Sequence, residues 1–438
     1  MPNCNQPTFE FSSLKRQKVQ ANFNGGAVSS NGGLILLSEV EKQLNIGQRI
    51  ASILPDHRNS DKVTHSQESM IIQRLMGLCA AHEDLNDHQD LRHDILMQTI
   101  AKTSKTLASP STLCRMEGRS EKRAMFSLQK LLVDLFIEKH QSTPAEIVLD
   151  FDATDDPTHG SQEGSFFHGY YKSYCFLPLY VFCGSDPLLA LLRPSNTDGA
   201  KGSLLALKYL VKRMRGAWGK DVKIIFRGDT GFMRRKVLRW CEANTVDYIV
   251  GQAHHQGIKP LTQDFRDKVA KDFNKTGEKQ RQFMELGYRP KDGRTFRRVI
   301  VKAEHTSRGE NPRCIVTNLS GDPQELYDTV YCARGDMENR IKEQQLGLFA
   351  DRTSTSQWWS NQFRLLLSTF AYIILDRLRT QAFKGTEWAK KQCSTLQVKL
   401  IKIGAVITRN TRRIKIHLSS AYPYQEIFER AYRNLMPE

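Results

Sequence analysis

Ile147-Val148-Leu149-Asp150-Phe151-Asp152-Ala153-Thr154 is an apolar run with two carboxylates set into it. The composition predicts a strand of a sheet buried on both faces, in which residues two apart point the same way. Asp150 and Asp152 then share a face. Asp152, nearer the carboxyl end, is the better candidate for a site at the sheet edge, and Asp150 for a structural neighbour. The alternative is a solvated turn, since Asp155 and Asp156 follow at once and turns favour Asp.

Two distant segments add carboxylates. Asp229, flanked by Gly228 and Gly231, follows the predicted strand Val222-Lys223-Ile224-Ile225-Phe226. Ligands of open α/β sheets bind beyond such carboxyl ends; the competing role for Asp229 is a helix N-cap. Glu338 lies in a predicted helix, where Tyr331, Arg334, Glu338, Lys342 and Gln345 fall on one stripe. Arg334 and Lys342 would bracket Glu338 and grip phosphates, although an i, i+4 ion-pair ladder on a solvated face has the same pattern. Three carboxylates without His or Cys suit Mg²⁺. Two ions about 3.5–4 Å apart would then serve an in-line phosphodiester displacement.

Composition points the same way. Lys plus Arg outnumber Asp plus Glu by 64 to 47, a net charge of +17, which favours a polyanionic partner. Nine unpatterned cysteines argue for a reducing compartment and against a zinc site. The N-terminus lacks the basic-then-apolar layout of a secretion signal, and Leu365–Leu375 falls short of the roughly 20 apolar residues of a membrane span. A cytoplasmic protein is expected, with no membrane partner. No phosphate-binding G-x-x-x-x-G-K-[ST] loop is present, so no nucleotide cofactor is expected.

Along the chain the expected order is a flexible N-terminus (1–25), a helical DNA-binding or dimerisation region (26–125), the first part of an α/β core (126–252), a β-rich insertion (253–327), the second part of the core with the Glu338 helix (328–385), and a basic C-terminal region (386–438). The predicted core strands span 146–152, 173–184, 187–193, 222–228 and 246–251. Ser109-Pro110 begins a helix as N-cap and first-turn proline. That short helix, carrying Thr112 and Arg115, is either a recognition helix for a major groove or an ordinary connector. His82, His88 and His93 are spaced wrongly for one helical face and read as a polar loop. His159 and His168 read as turn residues, and Trp358 and Trp359 as core rather than base-stacking rings.

Jointly these segments resemble the DDE transposases of bacterial insertion sequences, in the branch called transposase DDE domain group 1 (insertion-sequence family thirteen-eighty). The motifs are Asp84-Leu85-Asn86-Asp87-His88 with Leu91-Arg92, Leu107-Ala108-Ser109 with Thr112 and Arg115, Leu149 to Asp156 with His159-Gly160, Tyr170-Tyr171 with Leu177-Pro178-Leu179, Arg227-Gly228-Asp229, and Glu338 to Glu343. The resemblance implies an α/β fold: an RNase H-like mixed-sheet catalytic core with a β-rich insertion, preceded by an all-helical N-terminal region. It implies a catalytic and metal-binding triad of Asp152, Asp229 and Glu338, served by two Mg²⁺ ions for which Mn²⁺ substitutes. The DNA-binding residues would be Tyr331, Arg334, Lys342, Thr112 and Arg115. Related enzymes carry Tyr, Arg, Glu and Lys at fixed spacing; the last place here is Gln345, and Lys342 is the substitute. The implied activity is cleavage at terminal inverted repeats and transfer of 3′-OH strands into target DNA, by a homodimer at the bacterial nucleoid. The alternatives are a structure-selective nuclease of the same fold, or a DNA-binding derivative without nuclease activity.

Overall fold

In the computed structural model, which describes residues 7–289 and 295–436, the acidic strand lies inside a large mixed sheet. Its strands are β1 (Ile147–Ala153), β2 (Leu179–Cys183), β3 (Asp186–Leu191), β4 (Ile224–Gly228), β5 (Asp247–Gln252), β6 (Gln280–Tyr288), β7 (Arg297–Thr306) and β8 (Arg313–Thr317). Their order is β6-β7-β8-β5-β4-β1-β2-β3, and the short strand Gly309–Glu310 pairs with β7. β1, β4 and β5 run parallel, while β2 and β3 pair antiparallel beyond β1.

Alternation along the strands builds two apolar layers. Ile147, Leu149 and Phe151 join Ile224, Phe226, Tyr248 and Val250 in one core. That core also takes residues of the flanking helices α1 (Lys122–Lys139), α2 (Ser203–Trp218) and α3 (Arg235–Ala243). On the opposite face Ile225, Ile249, Ile300 and Ile315 pack with Leu326 and Tyr327. Asp150, Asp152, Arg227 and Asp229 alternate onto this second face.

The expected β-rich insertion is not a separate module. β8 pairs antiparallel with β5 from Ile249↔Thr317 to Gln252↔Cys314, so β6, β7 and β8 extend the core sheet. The segment also holds the helix Gln263–Thr276. The predicted strand 173–184 is two strands. Ser173–Phe176 belongs to a small sheet with Asp156–Pro157 and Phe166–His168, and Pro178 separates it from β2.

The chain divides into two compact units, residues 125–345 with 350–369 for the sheet and the remainder for the other. In the second unit the helices Leu34–Leu44, Ile46–Ile53 and Gln67–Cys79 bury Leu34, Leu37, Val40, Ile46, Ile50, Ile72 and Leu75 completely. The expectation of an all-helical N-terminal region needs correction. Phe9–Leu14 and Gln17–Ala21, expected to be flexible, pair as a solvent-exposed hairpin. Val28–Ser29 pairs with Ala405–Arg409, which pairs with Ile414–Leu418 from the basic C-terminal region. Parts of the expected N-terminal, inserted and C-terminal segments (1–6, 290–294, 437–438) lie outside the described residues. Among the described residues no helix is long and apolar enough to cross a membrane, and no cysteine is in a disulfide.

Candidate functional site

Parallel pairing of β4 with β1 sets Gly228 opposite Phe151, so Asp229 and Asp152 leave neighbouring strands at the same level. Both project toward the face covered by the chain after β8. There the backbone makes one helical path with changing pitch. A wide π turn at Leu326–Tyr331 gives way to a tight 3₁₀ turn at Cys332–Arg334 and then to helix α4 (Gly335–Lys342). A second π turn follows at Glu343–Gly347. Such irregular turns break the even three-and-four spacing that the sequence predicts for Tyr331 to Gln345.

Arg334 stands at the centre of the site. Its Nη2 lies 2.7 Å from Glu338 Oε1. Burial works to lower its guanidinium, but Glu338, Asp152, Tyr331 and Asp229 outweigh this and hold it above its ordinary value. Burial likewise pushes the Asp152 carboxyl up to about 7; Arg334 opposes the rise, while Asp229 and, more weakly, Glu338 add to it. The three sequence-predicted carboxylates therefore share one electrostatic field with Arg334 inside it. Asp229 also fulfils the competing expectation, because its Oδ1 accepts the Gly231 N–H at 2.8 Å and caps the turn Thr230–Phe232. Capping leaves its second oxygen for other partners.

The neighbours hold this arrangement. Asp150 is buried, and both its oxygens accept from Arg227, whose Nη1 donates to the Val330 carbonyl. Asp150 thus ties β1 and β4 to the turn before Arg334, as a structural residue would. The Tyr331 hydroxyl packs against Gly251 of β5, where an added Cβ would sit 2.7 Å from it and 2.6 Å from the Thr230 nitrogen. Gln345 Nε2 donates to the Asp155 carbonyl at 3.0 Å, fastening the far end of the helical path beside β1. Lys342 is exposed at the end of α4. Sequence reasoning gave no role to Arg227 or Gly251, although the first lies inside a quoted motif and the second ends a predicted strand.

The remaining candidates separate by unit. Ser109 caps the helix Pro110–Glu117 as expected, and Arg115 is exposed with Nη2 at 3.2 Å from Thr112 Oγ1. His88 belongs to no surface loop. It is fully buried, 3.0 Å from Arg74 Nη1, and burial with that guanidinium holds it well below its ordinary pKa. Trp358, half-buried, packs edge-on against Phe176 at 5.5 Å and over Gly164.

The donor set of Asp152, Asp229 and Glu338 is all oxygen, the kind Mg²⁺ prefers, and a carboxyl held near 7 by burial and acidic neighbours gains from an added cation. Among the described residues no three His, Cys, Asp or Glu side chains already stand close enough together to hold a metal ion.

Comparison with known proteins gives a family and likenesses to solved structures. The sequence profile described as Transposase DDE domain group 1 matches residues 11–437. No curated protein matches. A cryo-EM structure of the piggyBac transposase synaptic complex with hairpin DNA is similar at a TM-score of 0.44 and 12% identity, covering 84% of this chain and 77% of that one.

Proposed function

This chain belongs to the transposase DDE domain group 1 family, and we propose that it cuts DNA at the ends of an insertion sequence and joins the 3′-OH strands to target DNA. The observation that carries the reading is that Asp152 and Asp229 leave neighbouring parallel strands at one level, with Arg334, 2.7 Å from Glu338, charged beside both. The strand order β3-β2-β1-β4-β5, antiparallel and then parallel, supports an RNase H-like core.

In this reading Asp152, Asp229 and Glu338 would hold two Mg²⁺ ions, which when bound activate the attacking hydroxyl and stabilise the leaving oxygen. Glu338 exchanges its Arg334 partner for that task, and the released guanidinium turns to a phosphate beside the scissile one. Tyr331 and Lys342 complete the phosphate grip. Thr112 and Arg115 contact the inverted repeat from their own helix, and two copies of the chain bring two ends together.

Purified wild-type protein is expected to nick a duplex carrying the element's terminal repeat when Mg²⁺ or Mn²⁺ is added. Asp152→Ala, Asp229→Ala and Glu338→Ala each abolish nicking and leave binding of that duplex nearly intact. Retained nicking in any one of them removes that residue from the site.

A further inference from the structure

Beside the carboxylates the chain exposes a concentration of aromatic rings. They belong to the small sheet of Asp156–Pro157, Phe166–His168 and Ser173–Phe176, and to its turn. Phe167 and Tyr174 form a cross-strand pair with centroids 5.6 Å apart, yet are 57% and 61% exposed. In the turn Tyr170, 83% exposed, packs edge-on to Tyr171 at 5.0 Å, and Tyr171 lies 4.9 Å from the His168 ring. Lys172 closes the turn in the left-handed region (φ 55°), its N–H donating to the His168 carbonyl at 2.8 Å.

The turn lies against the site. Asp156 of the small sheet follows Asp152 by four residues and pairs with Phe176. Tyr171 is pushed up to about 12 by burial and by the charges of Asp155 and Asp152. Gln345, from the Glu338 side, holds the Asp155 backbone.

Rings left in water in such a group mark a contact surface. The choice of aromatic over aliphatic side chains, a lysine among them and carboxylates for phosphodiester chemistry alongside favour a flat π-faced partner tethered to phosphate. A duplex hides its base faces in the stack, whereas an unpaired base offers one. Resting on the functional reading above, we propose that Tyr170 and Tyr171 of the turn form a stacking platform for an unpaired nucleobase next to the phosphodiester held at Asp152, Asp229 and Glu338.

The test uses the full chain in EDTA, where no cutting is expected, with two fluorescent probes. One is a forked duplex carrying unpaired 2-aminopurine at its end; the other is the blunt duplex of the same sequence. Stacking quenches the forked probe and makes it the tighter ligand. Tyr170→Ala and Tyr171→Ala each weaken fork binding about tenfold and lift the quenching. Both leave blunt binding unchanged, and Tyr170→Phe behaves as wild type. Tyr170 is exposed enough that its loss cannot unfold the chain, and a melting curve checks this. Equal losses on both probes, or no loss on either, overturn the proposal. So does loss of self-association with DNA binding intact, which assigns the rings to a second copy. A chain that stacks the fork but never cuts DNA in Mg²⁺ supports the platform and sinks the functional reading. One that cuts but shows no fork preference does the reverse.

Discussion

Arg227 donates through Nε and Nη2 to both oxygens of Asp150, so the two acids of the first strand have opposite fates. Asp150 is consumed by a buried ion pair, and Asp152 remains open to the site. Breaking such a pair from one side leaves a buried charge alone. Asp150→Ala is therefore expected to cost about 3–5 kcal/mol in denaturant unfolding, whereas Asp150→Leu with Arg227→Met recovers most of that loss. Asp152→Ala is expected to melt close to wild type. Equal destabilisation by Asp150→Ala and Asp152→Ala would erase the distinction.

Gly251 gives a second test. A methyl group there meets the Thr230 nitrogen and the Tyr331 hydroxyl, so Gly251→Ala must displace the turn beside Asp229 or the turn beside Arg334. The expected stability cost is about 1–3 kcal/mol. Cleavage should fall on the order of 100-fold, because misplacing reacting groups by an ångström costs that much. Kinetics of nicking at saturating DNA separate the two effects.

Asp156 carries a pH signature for stability. It is buried, its Oδ2 accepts from Thr353 Oγ1 at 2.8 Å, and burial pushes its carboxyl up to about 8. The folded state thus keeps a proton that the unfolded chain releases near pH 4. Stability from this group is complete below the unfolded pKa and is lost as pH rises toward 8. Asp156→Asn should match wild type near pH 4 and exceed it at pH 9, read as the denaturant midpoint. A variant less stable than wild type at pH 9 would contradict the protonated assignment.

Charge predicts how DNA binding responds to salt. With a net charge of +17, the affinity for any duplex should drop steeply with ionic strength, by about 0.9 in the log–log slope for each phosphate neutralised. Arg115→Ala should lessen the slope by about one such step. A flat salt dependence would detach the charge from DNA.

Much of the core was legible because its signals are local. Apolar runs ending in Asp152 and in Gly228-Asp229 mark strands and their carboxyl ends, and Ser109-Pro110 marks a helix start that the structure realises. What escaped depends on pairing across long separations. Nothing within 253–327 tells that Cys314 to Thr317 will meet β5 rather than fold apart. The hairpin at Phe9 is polar enough to read as unstructured, yet backbone pairing shapes it. The Glu338 helix was read as regular, because composition does not reveal π turns that are set by packing. The ring cluster around Tyr170 was quoted only as a family motif, since exposure cannot be read from residue type.

The pairing of β8 with β5 also limits how this protein can be trimmed. Removing the stretch between the second and third acids as though it were a dispensable loop would strip hydrogen-bond partners from Ile249 to Gln252. It would leave a long apolar border open to any passing strand. A miniaturised variant would precipitate unless that border were capped with lysines, a proline or a covering helix.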